Sequence, residues 1–216
     1  MSAKHPPVNN SPTNPDELVK KIRSWGKQLG FQQIGVSDTD LAEAEIRLLN
    51  WLDKGFHGEM EWMQRHGNKR SRPEQLHPGT LRIISARMDY LPEASHDAWE
   101  IINSSEKAFV SRYALGRDYH KLLRQRLQKL ASKISEEVGE FGYRVFVDSA
   151  PVMEKPVAEK AGLGWIGKHT NLINRNAGSW FFLGEIYTDL PLPIEPVQIE
   201  NHYRFHREKT MILRCD

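Results

Sequence analysis

The run Gly162-Leu163-Gly164-Trp165-Ile166-Gly167 fits the G-x-G-x-x-G spacing of a dinucleotide-binding loop. With Lys168 it also approaches a P-loop, except that His169 stands where Ser or Thr should hold magnesium. Both motifs need a buried strand before them and a helix after, so that phosphate meets a helix N-terminus. Here a polar helical stretch precedes the run and a hairpin pattern follows, so both nucleotide readings are set aside. A glycine-lined loop with a central Trp still allows a large flat ligand to approach the backbone closely.

Asp148 stands where a short apolar strand, Arg144 to Val147, gives way to Ser149-Ala150-Pro151. Strand ends often carry functional groups in α/β folds, and a partly buried carboxyl there can hold a proton for donation. Taken alone, the residues fit a turn-capping Asp better. The segment Arg65-His66-Gly67-Asn68-Lys69-Arg70-Ser71-Arg72 is basic enough to contact phosphates, although such runs are usually solvated faces. His202 and His206 are four apart, but Tyr203 occupies the place of the Glu in a zinc-protease helix, so no metal site is expected. Cys215 has no evident base partner and reads as an incidental thiol.

The chain that must position these groups has 216 residues, 39% hydrophobic and 27% charged, enough for one large domain or two small ones. Its one cysteine excludes a disulfide framework and any iron–sulfur cluster held by this chain alone. No apolar run reaches the roughly 18 residues of a membrane-spanning helix. Met1 to Pro15 lacks the apolar core of a secretory leader, so a cytoplasmic protein with no membrane partner is expected. A net charge of +2 neither demands nor forbids a nucleic-acid partner.

Residues 1–14 read as a disordered arm. After it, Pro15 suits a first helical position, Gly30 a stop, and Leu18, Ile22, Trp25 and Leu29 share one face. Phe31 to Ser37 reads as a strand. Asp40 and Glu43 form a capping pair for a helix carrying Leu41, Ala44, Leu48, Trp51 and Leu52. Strands are expected at Leu81 to Tyr90 and Lys107 to Tyr113. The longest helix spans Asp118 to Glu140, with Leu123, Leu127, Leu130, Ile134 and Val138 as its stripe. A short helix from Lys155 to Ala161 follows, then a hairpin of Asn171–Asn174 and Trp180–Tyr187. The alternation predicts an α/β fold, with α+β open, built as a mixed sheet flanked by helices.

Several segments, taken in order, resemble epoxyqueuosine reductase. They are Val147-Asp148-Ser149-Ala150-Pro151-Val152-Met153-Glu154-Lys155, Lys160 to Lys168, Arg112-Tyr113-Ala114 with Gly116 and Asp118-Tyr119-His120, and Phe181 to Ile186. Arg72-Pro73, Leu76, Pro78-Gly79, Met88 and Tyr90 also match, so the resemblance runs from about residue 16 to Pro196. That family is similar to the cobalamin-dependent reductive dehalogenases. The resemblance implies a cobalamin-dependent oxidoreductase of queuosine biosynthesis that reduces epoxyqueuosine to queuosine in the anticodon region of tRNA. It also implies base-off cobalamin held by this region, two 4Fe–4S clusters in a following ferredoxin-like domain, and a carboxylic acid as proton donor. Asp148 matches the donor's motif and is then expected to be the catalytic acid. Arg70, Arg112, Tyr113, Gly164, Trp165, Gly167, Lys168 and Asn171 are expected to border the cobalamin.

The sequence departs from the family after the linker Pro191 to Pro196, where no cysteine-rich cluster motif follows. The expected organisation is an arm at 1–14, a cobalamin-binding catalytic domain at 15–190, and a linker and atypical tail at 191–216. A chain truncated before its cluster domain is expected to turn over little alone and to need an external electron donor. The alternatives are a non-catalytic module binding cobalamin or tRNA, and a cobalamin-dependent reductase of a small organic substrate.

Overall fold

The computed structural model describes residues 14–91 and 97–194. The arm before Asn14, and His202, His206 and Cys215 in the tail, lie outside the described residues.

Asn14 accepts the amide of Asp16 at 2.9 Å and opens α1 (Pro15–Gln28) on a proline at its first position. Gly30, at φ +86°, ends it in a conformation that side chains resist. After it come β1 (Gln33–Ser37), α2 (Ala42–Asp53), the single turn α3 (Pro73–Leu76) and β2 (Arg82–Asp89). Then follow α4 (Ala98–Ile102), α5 (Tyr119–Val138), β3 (Tyr143–Val147) and α6 (Glu154–Lys160). The short strands β4 (Trp165–Ile166) and β5 (Leu172–Ile173) precede the long β6 (Phe181–Thr188).

Four strands form one sheet in the order β1-β2-β6-β3, with every pairing antiparallel. The helices flank this sheet as expected, and the antiparallel pairing selects the α+β form of the expected fold. Strand alternation then sorts side chains into two layers. On one face Ile34, Val36, Ile84, Ala86, Met88, Val147 and Ile186 pack against Leu18, Val19 and Ile22 of α1 and Leu123, Leu127, Leu130 and Ile134 of α5. Gly184 lies on this face, and a Cβ there would come 2.8 Å from Leu127 Cδ1. On the other face, Val157 and Ala158 of α6 sit with Ile83, Phe146, Leu163, Leu183 and Tyr187 in two smaller clusters. That second face also buries Ser37, Ser85 and Glu185.

Two expected elements are rearranged. Lys107 to Tyr113 is no strand but irregular chain leading into a 3-10 turn at Arg112–Ala114. Phe109 and Val110 are each 48% exposed, because β propensity without a neighbouring strand does not make a ladder. The hairpin expected between Asn171–Asn174 and Trp180–Tyr187 is also replaced. β5 pairs with β4, while β6 inserts between β2 and β3. Asn174 explains the diversion: its Nδ2 donates to the Leu163 carbonyl at 2.7 Å, and its Oδ1 accepts from the amides of Asn176 and Ala177. A single bridge, Asn174 with Gly178, closes the turn.

α6 lies so near β1 that a Cβ on Gly35 would stand 1.9 Å from the Ala161 carbonyl oxygen. Backbone must move to admit it. Gly35→Ala is therefore expected to cost about 3 kcal/mol of stability, the upper range for overpacking, read as a lower urea midpoint at unchanged slope.

Candidate functional site

β3 ends where Val147 pairs with Gly184 of β6, and Asp148 leaves the sheet with φ +32°. A non-glycine residue in that region stores backbone strain, typically about 1–3 kcal/mol, unless its surroundings hold it. The first turn of α5 does so. Tyr119 donates its hydroxyl to Asp148 Oδ2 at 2.6 Å, and His120 Nε2 lies 3.0 Å from the same oxygen. His120 Nδ1 is 2.9 Å from Asp118 Oδ1, which also caps α5 by accepting the His120 amide at 3.0 Å. The rings are stacked as well: His120 on Tyr119 at 4.0 Å, Tyr119 on Phe182 at 3.9 Å, and Phe182 by Tyr90 at 4.5 Å. Asp148 itself is not enclosed. Its side chain is 49% exposed, and hydrogen bonds rather than burial position it.

Charge in this corner is arranged in depth. Asp118 holds the His120 imidazole above its ordinary value through their hydrogen bond, and Asp148 adds to the effect. Burial, helped by the bond to Asp148, raises the Tyr119 hydroxyl, so it remains a donor. Glu154, the first residue of α6, is pushed up to about 7 by burial and by the charge of Asp148. Glu185 is fully buried, and neither of its carboxyl oxygens has a hydrogen-bond partner among the described residues. Burial first, then Glu154 and Asp148, raise it well above the carboxylate range.

Two cavities share Asp148, Glu154 and Lys155 in their walls. One, of about 200 Å³, is lined also by Tyr90, Tyr119, Asn171 and Phe182. The other, of about 670 Å³, adds Leu48, Trp62, Met63 and Arg70. The Arg70 guanidinium sits 5.6 Å from the Trp62 ring centre, and its Nε is buried without a partner among the described residues. A third cleft, of about 830 Å³, carries His66, Lys69, Arg124 and Arg144 and reaches Ser149 on the Asp148 turn.

The structure thus brings Arg70 and Asn171 to the cavities that Asp148 borders. Tyr113, on its 3-10 turn, is near enough to Tyr119 and Tyr90 to raise both hydroxyls. Arg112 precedes it on the same turn. Lys168 is exposed after β4 and lines none of these cavities. Trp165 is bound into β4 opposite Ile173. At Gly164 a Cβ would meet the Ile173 carbonyl oxygen at 2.2 Å, and at Gly167 it would meet Ile173 and His169. The glycine run is therefore required by its own neighbour β5. A helix precedes it and a strand follows, which disposes of both nucleotide motifs. Arg72 of the basic segment is taken by Glu45 in a two-pronged pair at 2.9 and 3.1 Å. Among the described residues no three His, Cys, Asp or Glu side chains are grouped to hold a metal.

Sequence reasoning passed over the roles of Asp118, Tyr119, His120, Glu154 and Glu185. Two signals were present: an Asp at cap spacing before a Tyr-His pair, and a lone carboxylate in the otherwise apolar run Phe181 to Ile186.

A family model described as epoxyqueuosine reductase QueG, DUF1730, matches residues 70–149. The epoxyqueuosine reductase of Pseudomonas aeruginosa is 59% identical over 194 residues, 90% of this chain and 54% of that protein. The chain therefore spans about half the length of the curated relatives it matches, and over that span it is a relative of the epoxyqueuosine reductases. Among solved structures, the Streptococcus thermophilus epoxyqueuosine reductase aligns with a TM-score of 0.69 at 25% identity, over 83% of this chain and 48% of that one. An epoxyqueuosine reductase solved with an epoxyqueuosine-modified tRNA-Tyr stem loop shares the fold, with a TM-score of 0.72 at 23% identity over 84% and 48%. So does a B12-dependent reductive dehalogenase, with a TM-score of 0.53 at 15% identity over 89% and 22%.

Glu154 binds its proton more tightly folded than unfolded, so it lowers stability as pH rises from about 4.5 to about 7. Glu154→Gln should remove that slope. At pH 8 the variant is expected to be more stable than the parent by on the order of 2 kcal/mol, with no difference near pH 4.5, in urea titrations at both values.

Proposed function

We propose that this chain is the acid-bearing, cobalamin-binding half of an epoxyqueuosine reductase, acting on epoxyqueuosine in the anticodon region of tRNA in the cytoplasm. The single observation that carries the reading is Asp148: a carboxyl at a strand end, gripped through Oδ2 by Tyr119 and His120, in the wall of two cavities. Sequence identity of 59% to a named reductase supplies the reaction.

The residues present fit a corrinoid on that wall. Arg70 presents a buried Nε without a partner among the described residues, beside the Trp62 ring, in the 670 Å³ cavity that Asp148 also lines. That volume suits a drug-sized ligand, so this chain offers one side of a site for the larger cobalamin. Arg70, Asn171, Tyr113 and Arg112 are the polar groups placed to hold its edge, with Lys168 and Trp165 beyond them. Gly164 and Gly167 act by letting β4 and β5 close. When bound, cobalamin supplies the electrons that remove an epoxide oxygen.

The chain's own work is binding and protonation. Oδ2 of Asp148 is occupied, which leaves Oδ1 for the substrate. A proton given from Oδ1 to the departing oxygen avoids a free alkoxide. Lys69, Arg124 and Arg144, lining the cleft that reaches the same turn, are placed to meet tRNA phosphates on either side of the modified nucleotide. The 4Fe–4S clusters that the family resemblance implies find no ligand set among the described residues.

The deciding experiment mixes the chain with cobalamin, a low-potential chemical reductant and an epoxyqueuosine stem loop. Binding is expected as a change in the cobalamin spectrum, with queuosine formed only when reductant is present. Asp148→Asn should retain the spectral change and lose turnover by about 10²-fold or more. A chain that leaves the spectrum unchanged overturns the reading, and binding of cobalamin without the stem loop at low salt favours a small organic substrate. Changing Lys69, Arg124 and Arg144 to Gln should reduce the slope of log affinity against log salt by about 2, measured by stem-loop anisotropy.

A further inference from the structure

Deoxygenating an epoxide to an alkene and water consumes two electrons and two protons, and one carboxyl holds one proton at most. Asp148 gives one of them and is recharged before it can give the other. The groups around Oδ2 supply a route. His120 stands between two carboxylates, with Nδ1 at 2.9 Å from Asp118 and Nε2 at 3.0 Å from Asp148. Its ring cannot turn freely, because it is stacked on Tyr119, which is itself stacked on Phe182 at an interplanar angle of 6°. Asp118 is fixed in turn as the cap of α5. The ring is 43% exposed, so water can reach it without passing through either cavity.

We propose that His120 is a positioning residue that supplies protons to Asp148, and that Asp118 fixes its tautomer so that Nε2 always faces Asp148. This rests on the reading of Asp148 as the acid. In the step, the Oδ1–H bond of Asp148 breaks as the proton goes to the substrate oxygen. The Nε2–H bond of His120 then breaks as a new O–H bond forms at Asp148 Oδ2. His120 is left neutral with its remaining proton on Nδ1, shared with Asp118, and solvent returns the Nε2 proton. No electron moves in this transfer; a bound cobalamin would supply the two electrons. Turning about its Cβ–Cγ bond, the recharged Asp148 carboxyl then brings the protonated oxygen to the substrate and gives the second of the two protons that each epoxide consumes. The arrangement is that of an Asp-His pair in which the carboxylate orients the ring and selects its tautomer. The titratable groups facing the unit are Asp118 on its own helix start, Asp148 on the turn after β3, and Tyr119, behind which lie Tyr113 and Glu154.

The test uses the intact chain labelled with ¹⁵N in its histidines, with His120→Gln identifying the resonances. The wild-type ring is expected to titrate above the ordinary histidine value and, once neutral, to carry its proton on Nδ1. Asp118→Asn preserves an oxygen for the cap while removing the charge, and should lower the midpoint and shift the neutral ring toward Nε2–H. Asp148→Asn should lower the midpoint and leave the Nδ1–H form in place. A neutral ring protonated on Nε2 in the wild type, or a midpoint that neither substitution moves, overturns the proposal. A His120 held only by its stacking on Tyr119 would show neither the Nδ1–H preference nor a midpoint that follows the two carboxylates. None of these measurements involves tRNA or cobalamin. Their failure leaves the proposed function standing, whereas failure of the epoxyqueuosine assay removes the acid that His120 recharges while the measured tautomer and midpoints stay as they are.

Discussion

The contact between Gly184 and the leucines of α5 sets the distance on which the site depends. Because residue 184 has no side chain, Leu123 and Leu127 come down onto β6, and α5 lies against the sheet at its closest. The first turn of that helix carries Tyr119 and His120. Opposite Gly184 is Val147, the last paired residue of β3, so Asp148 emerges where those two side chains arrive. A larger residue at 184 would lift α5 and lengthen both bonds to the acid together. The site is therefore a by-product of core packing, and its geometry is only as stiff as that core.

How much of this the sequence reveals depends on how local each cause is. The stripes of α1 and α5, the proline that opens α1, and the end of β3 arise within a few residues of chain and could be read directly. The diversion of β5 to β4 could not, because it turns on Asn174 reaching Leu163 and Gln33, the latter 141 positions away. Gly164 illustrates the same limit. Its spacing imitates a nucleotide loop, while its cause is the carbonyl of Ile173 across a two-residue ladder. Asp148 was singled out by type and position, and its family resemblance weighted it. The Tyr and His that hold it lie 29 and 28 residues away, in a segment whose local pattern shows only the start of a helix.

The carboxyls near the site differ in exposure, and their environments give them different work. Asp148 is open to solvent and hydrogen-bonded, Glu154 is partly buried and pushed up to about 7, and Glu185 is fully buried and raised well above the carboxylate range. A fully charged trio would repel itself apart. Burial counters that by raising the proton affinity of the inner two, Glu154 and Glu185.

β3 pairs with β6 on one side only, which leaves its other edge as an open row of backbone donors and acceptors among the described strands. Such an edge invites a strand from another molecule. Here the basic cleft runs beside it: Arg144 projects from the strand itself, over the ring of Phe146, with Arg124 and Lys69 across the gap. Two copies approaching edge to edge would bring these cations together. The charges proposed to attract a polyanion thus also keep the molecule from polymerising with itself, so neutralising them for the sake of weaker RNA binding would carry a cost in solubility.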